Sequence, residues 1–191
     1  DGAVLNRHRK LMPTNPERMV HGIGDASGLR AVDTPVGRVG ALICWENYMP
    51  LARYSLYAQG VEIYIAPTYD TGEGWISTMR HIALEGRCWV LGSGTALRGS
   101  DIPEDFPARM QLFADPDEWI NDGDSVVVSP QGRIVAGPLH REAGILYADI
   151  DVALVAPARR ALDVTGHYAR PDIFELHVRR SPAIPVHYID E

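Results

Sequence analysis

The feature that most constrains the fold is an alternation of apolar, strand-like runs with helical patterns in the first half of the chain. Near-continuous apolar runs are typical of strands buried on both faces, and the stretches between them have apolar residues at helical spacing. The strand-like runs are 37–44, 61–67 and 88–94, and the helical patterns are 49–59 and 72–87. Such a β-α-β-α-β series, joined by right-handed crossovers, predicts an α/β fold with parallel strands covered by helices.

The second half of the chain has a different texture. Residues 98–124 are rich in proline and acidic residues and lack periodicity, so a long loop or insertion is expected there. Two β runs in "SVVVSPQGRIVAGP" (125–138) predict an antiparallel hairpin, and "AGILYADID" (143–151) predicts one more strand. We therefore expect one compact domain over 1–161, followed by an extended arm over 162–191.

Charge and hydropathy exclude several classes of partner. The formal net charge of −7 argues against nucleic-acid and anionic-membrane partners, which call for a clustered basic surface. No apolar stretch approaches the ~20 residues of a membrane span, and no signal-peptide pattern is present. Two cysteines offer no disulfide framework, which favours a cytoplasmic location. The chain begins at Asp1 and runs directly into a strand-like segment, so we expect its start to be internal to a longer protein.

Sites for metals and phosphates are not indicated. The seven histidines form no H-x-H or H-E-x-x-H pair and the cysteines form no C-x-x-C, so no metal and no other cofactor is expected. "HGIGDASG" (21–28) lacks the spacing of a phosphate-binding loop and is interpreted as a plain loop. Ser93 lacks the G-x-S-x-G frame of a nucleophile elbow.

Cys44 is left as the candidate nucleophile. It follows the apolar run "GALI" and precedes a helical pattern, so it should lie on a strand-to-helix turn at the carboxyl end of the sheet, where α/β folds bind ligands. A reactive thiolate needs a nearby cation, and Lys10, after a strand-like segment, is the candidate. The alternative is that Cys44 is a buried, inert cysteine, as we expect for Cys88 at the start of "CWVLG". The residues alone leave both interpretations open for Cys44.

Four segments resemble the nitrilase branch of the carbon-nitrogen hydrolase superfamily, in the order that the family has them. They are "HRKLMPTNPER" (8–18), "LICWENYMPLARYSLYAQG" (42–60), "TMRHIALEGRCWVL" (78–91) and "DVTGHYARPDIFEL" (163–176). The "CWEN" and "TGHYARPD" motifs are more similar to true nitrilases than to the amidases or carbamoylases of the superfamily.

The resemblance implies the C-terminal portion of an α-β-β-α sandwich with a Glu-Lys-Cys triad. Cys44 matches the nucleophile, Lys10 the lysine of the triad, and Glu17 a second glutamate of the site. The family's general-base glutamate precedes the lysine motif, and no residue here matches it. The resemblance therefore implies that the chain needs an N-terminal part of the same protein, and that alone it is inactive and unstable.

The activity implied by the resemblance is hydrolysis of a small-molecule nitrile to a carboxylic acid and ammonia, through a thioimidate and a thioester on Cys44. Three alternatives stay open: an amidase of the same superfamily, a cyanide dihydratase, and a non-catalytic scaffold. The class of nitrile, whether aliphatic, aromatic or arylacetonitrile, also stays open.

Closeness to the nucleophile motif indicates the substrate-binding residues. The expected pocket residues are Trp45, Tyr48, Thr68 and Tyr69. The tyrosines have an alternative role as edge residues of the core with their hydroxyls in water. Glu46 and Asn47 are expected to hold the turn through local hydrogen bonds to the backbone. Glu85 is expected to pair with Arg80 or Arg87, or to support an interface.

The resemblance also implies a homo-oligomer built from dimers. In the family, the two helices after the cysteine, here 49–59 and 73–87, pack against their copies in a partner subunit. The insertion 98–124 and the tail 162–191 correspond to segments that take part in spiral or filament assembly. Tyrosines and apolar residues on the first helix suit such a buried interface.

Overall fold

The structure, a computed structural model, describes residues 2–181. The described part is an α/β unit with one mixed sheet. The strands are β1 (Val32–Thr34), β2 (Gly37–Ala41), β3 (Ile63–Thr68), β4 (Trp89–Gly94), β5 (Ala96–Arg98), β6 (Trp119–Val128) and β7 (Ile134–His140). The helices are α1 (Pro50–Tyr57), α2 (Glu73–Gly86), α3 (Arg109–Leu112) and α4 (Val155–Ala161).

The central strands of the sheet are parallel, and the outer strands pair antiparallel. The strand order is β1-β2-β3-β4-β6-β5, with β7 paired to β6. β2, β3 and β4 run parallel to one another, whereas β1, β6 and β7 add antiparallel pairs. The predicted alternation and the predicted hairpin are therefore confirmed. The parallel strands place the segments that follow them at one edge of the sheet, where the candidate site lies.

The crossover helices form because their apolar residues recur at helical spacing. The buried residues of α2 are Trp75, Met79, Ile82, Ala83 and Gly86. This set is i, i+4, i+7, i+8 and i+11, which is one face of a helix. Gly86 lies where a side chain would collide with the Tyr57 ring, so the last turn of α2 packs closely on α1. No helix within residues 2–181 is both long enough and apolar enough to span a membrane.

Cys88 belongs to the main core, as predicted. Its neighbours in that cluster include Leu42, Leu56, Tyr64 and Val90, all with no exposed surface. Burial in this apolar environment raises the pKa of the Cys88 thiol to about 12. Cys88 is therefore protonated at neutral pH and is not a nucleophile.

Three predicted elements differ from the structure. No strand immediately precedes Lys10 in the described part of the chain, since residues 4–10 have no strand conformation there. The predicted loop over 98–124 is wrong at both ends, since β5 extends to Arg98 and β6 begins at Trp119. The predicted strand over 143–151 is also absent.

Packing explains the strand-like alternation of residues 143–151. Leu146 and Ile150 pack against a second apolar cluster that contains Trp89 and Val127. Ile145 and Tyr147 face away and are exposed. The segment therefore has one buried and one exposed side, as a strand does, without the backbone hydrogen bonds of a ladder.

The predicted arm is described only as far as Ser181. Over residues 162–181 it has turns and no helix, and residues 182–191 lie outside the described part. The division into a domain over 1–161 and an arm over 162–191 stays a prediction.

Gly94→Ala is expected to destabilise the fold, because a methyl group there would collide with the Gly123 carbonyl oxygen of β6. We expect the free energy of unfolding to fall by at least about 2 kcal/mol, as in overpacked cores. The control is Gly74→Ala in α2, where a methyl group meets no atom within 4 Å. That change should stabilise by about 0.5–1 kcal/mol through helix propensity. Equal denaturant midpoints for the two variants would contradict the β4–β6 contact.

Candidate active site

Cys44 lies at the end of the parallel strand β2, as the sequence predicts. Ala41 ends the strand, and the 3₁₀ turn Cys44–Tyr48 then leads into α1. The Cys44 backbone has a φ of 54°, in the left-handed region that residues other than glycine rarely adopt. Cys44 is also largely buried, with 9% of its surface exposed. A buried residue in a strained conformation at a sheet edge is a typical arrangement for a functional group.

Asn47 holds the strained turn. Its side-chain amide donates to the carbonyl oxygens of Cys44 and Leu42, at 2.7 and 3.1 Å. Its side-chain oxygen accepts a hydrogen bond from the Tyr64 hydroxyl at 2.8 Å. Because Asn47 is fully buried, these bonds do not compete with water. The structure thus confirms the expected local role of Asn47.

Lys10 and Glu17 form a tight pair. The Lys10 amine donates to Glu17 Oε2 at 2.5 Å and to Thr14 Oγ1 at 3.1 Å, and the Thr14 backbone N–H donates to the same Glu17 oxygen. The hydrogen bond from Lys10, and then that from Thr14, hold the pKa of Glu17 below its usual range. Lys10, Pro13, Glu17 and His21 line a cleft of about 370 Å³. Of the predicted catalytic residues, the structure brings Lys10 and Glu17 into direct contact.

The glycine-rich segment 21–28 supports the backbone of Lys10. The Gly24 N–H donates to the Lys10 carbonyl oxygen at 2.8 Å. A Cβ atom on Gly24 would collide with the carbonyl oxygens of Arg9 and Lys10, so only glycine fits this close approach. Gly28 makes a similar contact with Arg7. The glycines therefore serve packing against the lysine segment, in agreement with the interpretation as a plain loop.

Glu46 connects the lysine segment to the cysteine turn. One carboxylate oxygen accepts the Leu11 N–H at 2.5 Å, and the other accepts the Ile43 N–H at 2.6 Å. Both oxygens lie 3.1 Å from His8 Nε2. The local bond to Ile43 confirms the expectation for Glu46, but the sequence reasoning missed the contacts to Leu11 and His8. Within the described residues the Lys10 amine and the Cys44 thiol form no hydrogen bond with each other, so Glu46 is the link between their segments.

Trp45 and Tyr48 lie together beside the cysteine. The Trp45 indole N–H and the Tyr48 hydroxyl both donate to one oxygen of Asp70, at 2.9 and 3.0 Å. The two aromatic rings meet edge to face, and both side chains are about half exposed. Burial, together with the charges of Asp70 and Cys44, raises the pKa of Tyr48, although a hydrogen bond with Thr78 opposes this.

Thr68 ends β3, and Tyr69 begins the loop that follows, which lies next to the cysteine turn. Thr68 is buried, and its hydroxyl accepts the Asp70 N–H at 2.7 Å, so it shapes the loop. The Tyr69 side chain is half exposed, and its carbonyl oxygen accepts a hydrogen bond from Asn121. Tyr69 therefore presents its side chain at the surface, whereas the Thr68 side chain is in the interior.

Asp124 anchors the same loop from β6. Its buried carboxylate accepts hydrogen bonds from the Thr71 hydroxyl, from the Gly72 N–H at 2.7 Å, and from His140 Nδ1 at 2.7 Å. Burial raises the pKa of Asp124, but these three hydrogen bonds outweigh it and the pKa is lowered. The sequence reasoning missed Asp124 because it placed residues 98–124 in a loop. The run of short polar residues in "WINDGD" was the available signal.

Glu85 pairs with α1, and the prediction of Arg80 or Arg87 as its partner is wrong. Its carboxylate accepts hydrogen bonds from Arg53 Nε at 2.8 Å and from the Tyr57 hydroxyl at 2.9 Å. Arg80 instead donates to the Gly132 carbonyl oxygen. The register of α2 decides this, since Glu85 faces α1. Arg53 also donates to the Asn47 carbonyl oxygen at 2.8 Å, so α2 is connected to the cysteine turn.

No cluster of three His, Cys, Asp or Glu side chains within residues 2–181 is arranged to hold a metal ion. Cys44, Lys10 and Glu17 supply a thiol, an amine and a carboxylate on two segments that Glu46 joins. Such a set suits nucleophilic attack with charge stabilisation.

Asp124→Asn is expected to remove stability that depends on pH. A lowered pKa in the folded state means that ionised Asp124 stabilises the fold above the unfolded pKa of about 4, and that this stability is lost as the pH falls through the lowered pKa. We expect the variant to be about 1–3 kcal/mol less stable at pH 7, because three donors lose a charged acceptor. Thermal unfolding between pH 7 and pH 3 should show the gap closing at the acid end. Asp122→Asn, which alters an exposed pair with Arg141, should change stability by at most about 1 kcal/mol. A gap for Asp124→Asn that is constant with pH would contradict this.

Comparison with protein families gives one assignment. The model of the family described as carbon-nitrogen hydrolase matches residues 1–160. Two curated relatives are similar over nearly the whole chain. The "Aliphatic nitrilase" of Sinorhizobium fredii (strain HH103) is 49% identical over 179 residues, which are 94% of this chain and 58% of the relative. "Nitrilase 2" of Arabidopsis thaliana is 45% identical over 196 residues, which are 100% of this chain and 57% of the relative. The chain thus spans less than two thirds of the length of either relative.

Solved structures share the fold. A carbon-nitrogen hydrolase from Helicobacter pylori G27 superposes with a TM-score of 0.69 at 24% identity, over 87% of this chain and 58% of that chain. The C. elegans NitFhit protein superposes with a TM-score of 0.61 at 25% identity, over 81% of this chain and 34% of that chain. These likenesses agree with the expected α/β sandwich architecture.

Proposed function

We propose that this chain, which belongs to the carbon-nitrogen hydrolase family, carries the nucleophile of a nitrilase that converts a nitrile to a carboxylic acid and ammonia. The observation that carries the proposal is the placement of Cys44. It is buried, has a left-handed backbone at the carboxyl end of β2, and is tied through Glu46 to the segment that holds Lys10 and Glu17. Similarity to relatives named as nitrilases supports the substrate class.

In the proposed mechanism the Cys44 thiolate attacks the nitrile carbon. A carbon–sulfur bond forms, one π bond of the nitrile breaks, and protonation of nitrogen gives a thioimidate. Water adds to the thioimidate carbon, and the tetrahedral adduct expels ammonia to leave a thioester. A second water hydrolyses the thioester to the carboxylic acid and returns the thiol. Cys44 is regenerated, so each turnover consumes two waters and one nitrile.

Lys10 and Glu17 have separate roles in this proposal. The Lys10 ammonium stabilises negative charge that develops on the substrate nitrogen, and later on oxygen, together with the Trp45 backbone N–H. Glu17 orients Lys10, since it holds the amine at 2.5 Å. Its lowered pKa keeps the carboxylate ionised near neutral pH, so it can stabilise the ammonium.

The proposed substrate pocket has an aromatic side. Trp45 and Tyr48 present half-exposed rings next to Cys44, and Tyr69 lies on the neighbouring loop. Thr68 contributes through the shape of that loop, since its hydroxyl is engaged with Asp70. Aromatic side chains of this kind favour an apolar group beside the nitrile.

We propose further that the protein is a homo-oligomer in the cytoplasm. Leu51 on α1 and Tyr168, Ile173 and Phe174 of the tail are exposed and line a cleft of about 670 Å³. Such a surface suits contact with a partner subunit. In this proposal the subunits contact each other through helices 49–59 and 73–87 and through segments 98–124 and 162–191. Cys44 and Cys88 are both free thiols, in keeping with a reducing compartment.

Cys44→Ala is expected to abolish turnover. Because the chain spans 58% of the Sinorhizobium fredii relative, two forms are assayed: the chain alone, and the chain co-expressed with the part of that relative outside the alignment. We call the second form the complemented protein. The resemblance implies ammonia release in the complemented protein alone. There Cys44→Ala should lower kcat by at least about 1,000-fold, since it removes the nucleophile.

The control is Cys88→Ala, which changes a buried thiol of the core and should retain most of the turnover. A panel of aliphatic nitriles, aromatic nitriles, arylacetonitriles and cyanide, each organic nitrile with its amide, tests the alternatives. Acid formed faster from the amides would favour an amidase, and turnover of cyanide alone would favour a cyanide dihydratase. Full activity of Cys44→Ala would overturn the proposal. Mass spectrometry of the unsubstituted protein would then show no adduct on Cys44.

A further inference from the structure

We infer that Glu46 is a positioning residue, whose buried carboxylate sets the separation of Lys10 and Cys44 by binding the backbone next to each. The inference rests on the proposed function, because it assigns the two side chains to one site. Glu46 itself is placed too deep to meet a substrate, since only 1% of its surface is exposed.

The carboxylate has one oxygen for each segment. Oε1 accepts the N–H of Leu11, the residue after Lys10, at 2.5 Å. Oε2 accepts the N–H of Ile43, the residue before Cys44, at 2.6 Å. Short bonds from backbone N–H groups to a carboxylate are among the stronger hydrogen bonds in proteins. Two segments that lie more than 30 residues apart in the chain are thus held by one rigid group.

His8 completes the environment of the carboxylate. Its Nε2 lies 3.1 Å from both Glu46 oxygens, and its side chain is 8% exposed. An ionised carboxylate only accepts hydrogen bonds, so the proton of the ring is assigned to Nε2. The other ring nitrogen, Nδ1, is buried and has no hydrogen-bond partner among residues 2–181. Among residues 2–181 the imidazole therefore hydrogen-bonds only to Glu46, and it shields the carboxylate from water.

Among the described residues, Lys10 is positioned by a turn and a loop. Residues 4–10 form no strand there, and Lys10 precedes a turn stabilised mainly by its own side chains. The Lys10 carbonyl oxygen accepts the Gly24 N–H, and the Asn6 side chain donates to the Gly28 carbonyl oxygen, in a loop outside the sheet. Glu46 connects this segment to the end of β2, because its carboxylate binds the backbone of both. A displacement of about 1 Å between reacting groups is enough to cost up to ~100-fold in rate.

A purely structural role is the competing explanation, and a double-mutant cycle separates the two. The probe is alkylation of Cys44 by iodoacetamide, followed by mass spectrometry as a function of pH in the complemented protein. It reports the reactivity of the thiol without any nitrile turnover. A nearby ammonium favours the reactive thiolate, so displacing Lys10 should slow the alkylation.

We expect Glu46→Gln to slow the alkylation of Cys44 at pH 7 by about 3–10-fold, because the amide accepts at only one of its two positions and releases one segment. In a Lys10→Met background the same change should have no further effect. The kcat for a nitrile should fall by about 10–100-fold, with KM changed less than about 3-fold. An equal loss of alkylation rate with and without Lys10 would overturn the inference, as would a Glu46→Gln protein that behaves like the wild type.

Glu62→Gln is the matched control. Glu62 also accepts a backbone N–H through its carboxylate, that of Arg38 at 2.8 Å, but at the start of β3 and away from Cys44. It should leave the alkylation profile unchanged. If Glu46→Gln does not fold, Glu46→Asp replaces it. The shorter carboxylate keeps the charge but cannot span both N–H groups, so an intermediate loss of alkylation rate is expected and a wild-type profile would overturn the inference.

Failure of the proposed function gives a different pattern. If no nitrile or amide is turned over, but Glu46→Gln slows alkylation and does so only when Lys10 is present, the positioning role of Glu46 holds and the reaction is another one. If nitrile turnover is present but Glu46→Gln changes neither kcat nor the alkylation profile, the function holds and the inference fails.

Discussion

The parallel pairing of β2, β3 and β4 is the constraint on which the rest of the structure depends. Because the three strands point the same way, the segments that follow them meet at one edge of the sheet. The segment after β2 is the cysteine turn, and β3 ends at Thr68 and leads into the loop with Tyr69 and Asp70. The Thr95 N–H, after β4, donates to the Thr68 carbonyl oxygen at 3.2 Å and ties the second loop to the third. Chemistry at this edge follows from strand direction before any side chain is considered.

Buried polar groups then fix the details of that edge. Asn47 and Glu46 are almost without exposed surface, and their side chains are hydrogen-bonded. Both bind backbone groups of the cysteine turn and of the residues just before it. Glu46 also binds Leu11, and Asn47 also binds Tyr64. Leaving such groups unpaired costs several kcal/mol, so the network strongly favours one arrangement of the turn. This offsets the cost of the left-handed backbone at Cys44, which is of order 1–3 kcal/mol. Arg53 extends the network to Glu85 on α2, so the turn is also coupled to the surface of the helices.

The differences between prediction and structure have one physical origin. A period-2 pattern reports which side of a segment is buried, and not whether its backbone pairs with a neighbour. Residues 143–151 have a buried and an exposed side without a ladder, and residues 121–124 are in a strand although three of the four are Asn or Asp. In the second case Asn121 and Asp124 face inward because the loop after β3 supplies their hydrogen-bond partners. A similar limit applies to Glu85, whose partner lies 32 residues away on α1.

The sequence by itself determined the α/β class, the two crossover helices with their buried faces, the hairpin, the turn that carries Cys44 and the burial of Cys88. These features depend on local periodicity and on the order of elements, and both can be read from the pattern of consecutive residues. Only the tertiary structure decided that Glu46 joins the Lys10 and Cys44 segments, that Asp124 anchors the neighbouring loop, and that Glu85 pairs with Arg53. Those contacts join residues 32 to 52 positions apart, and their geometry depends on how the strands and helices pack. Local sequence patterns therefore do not predict these contacts.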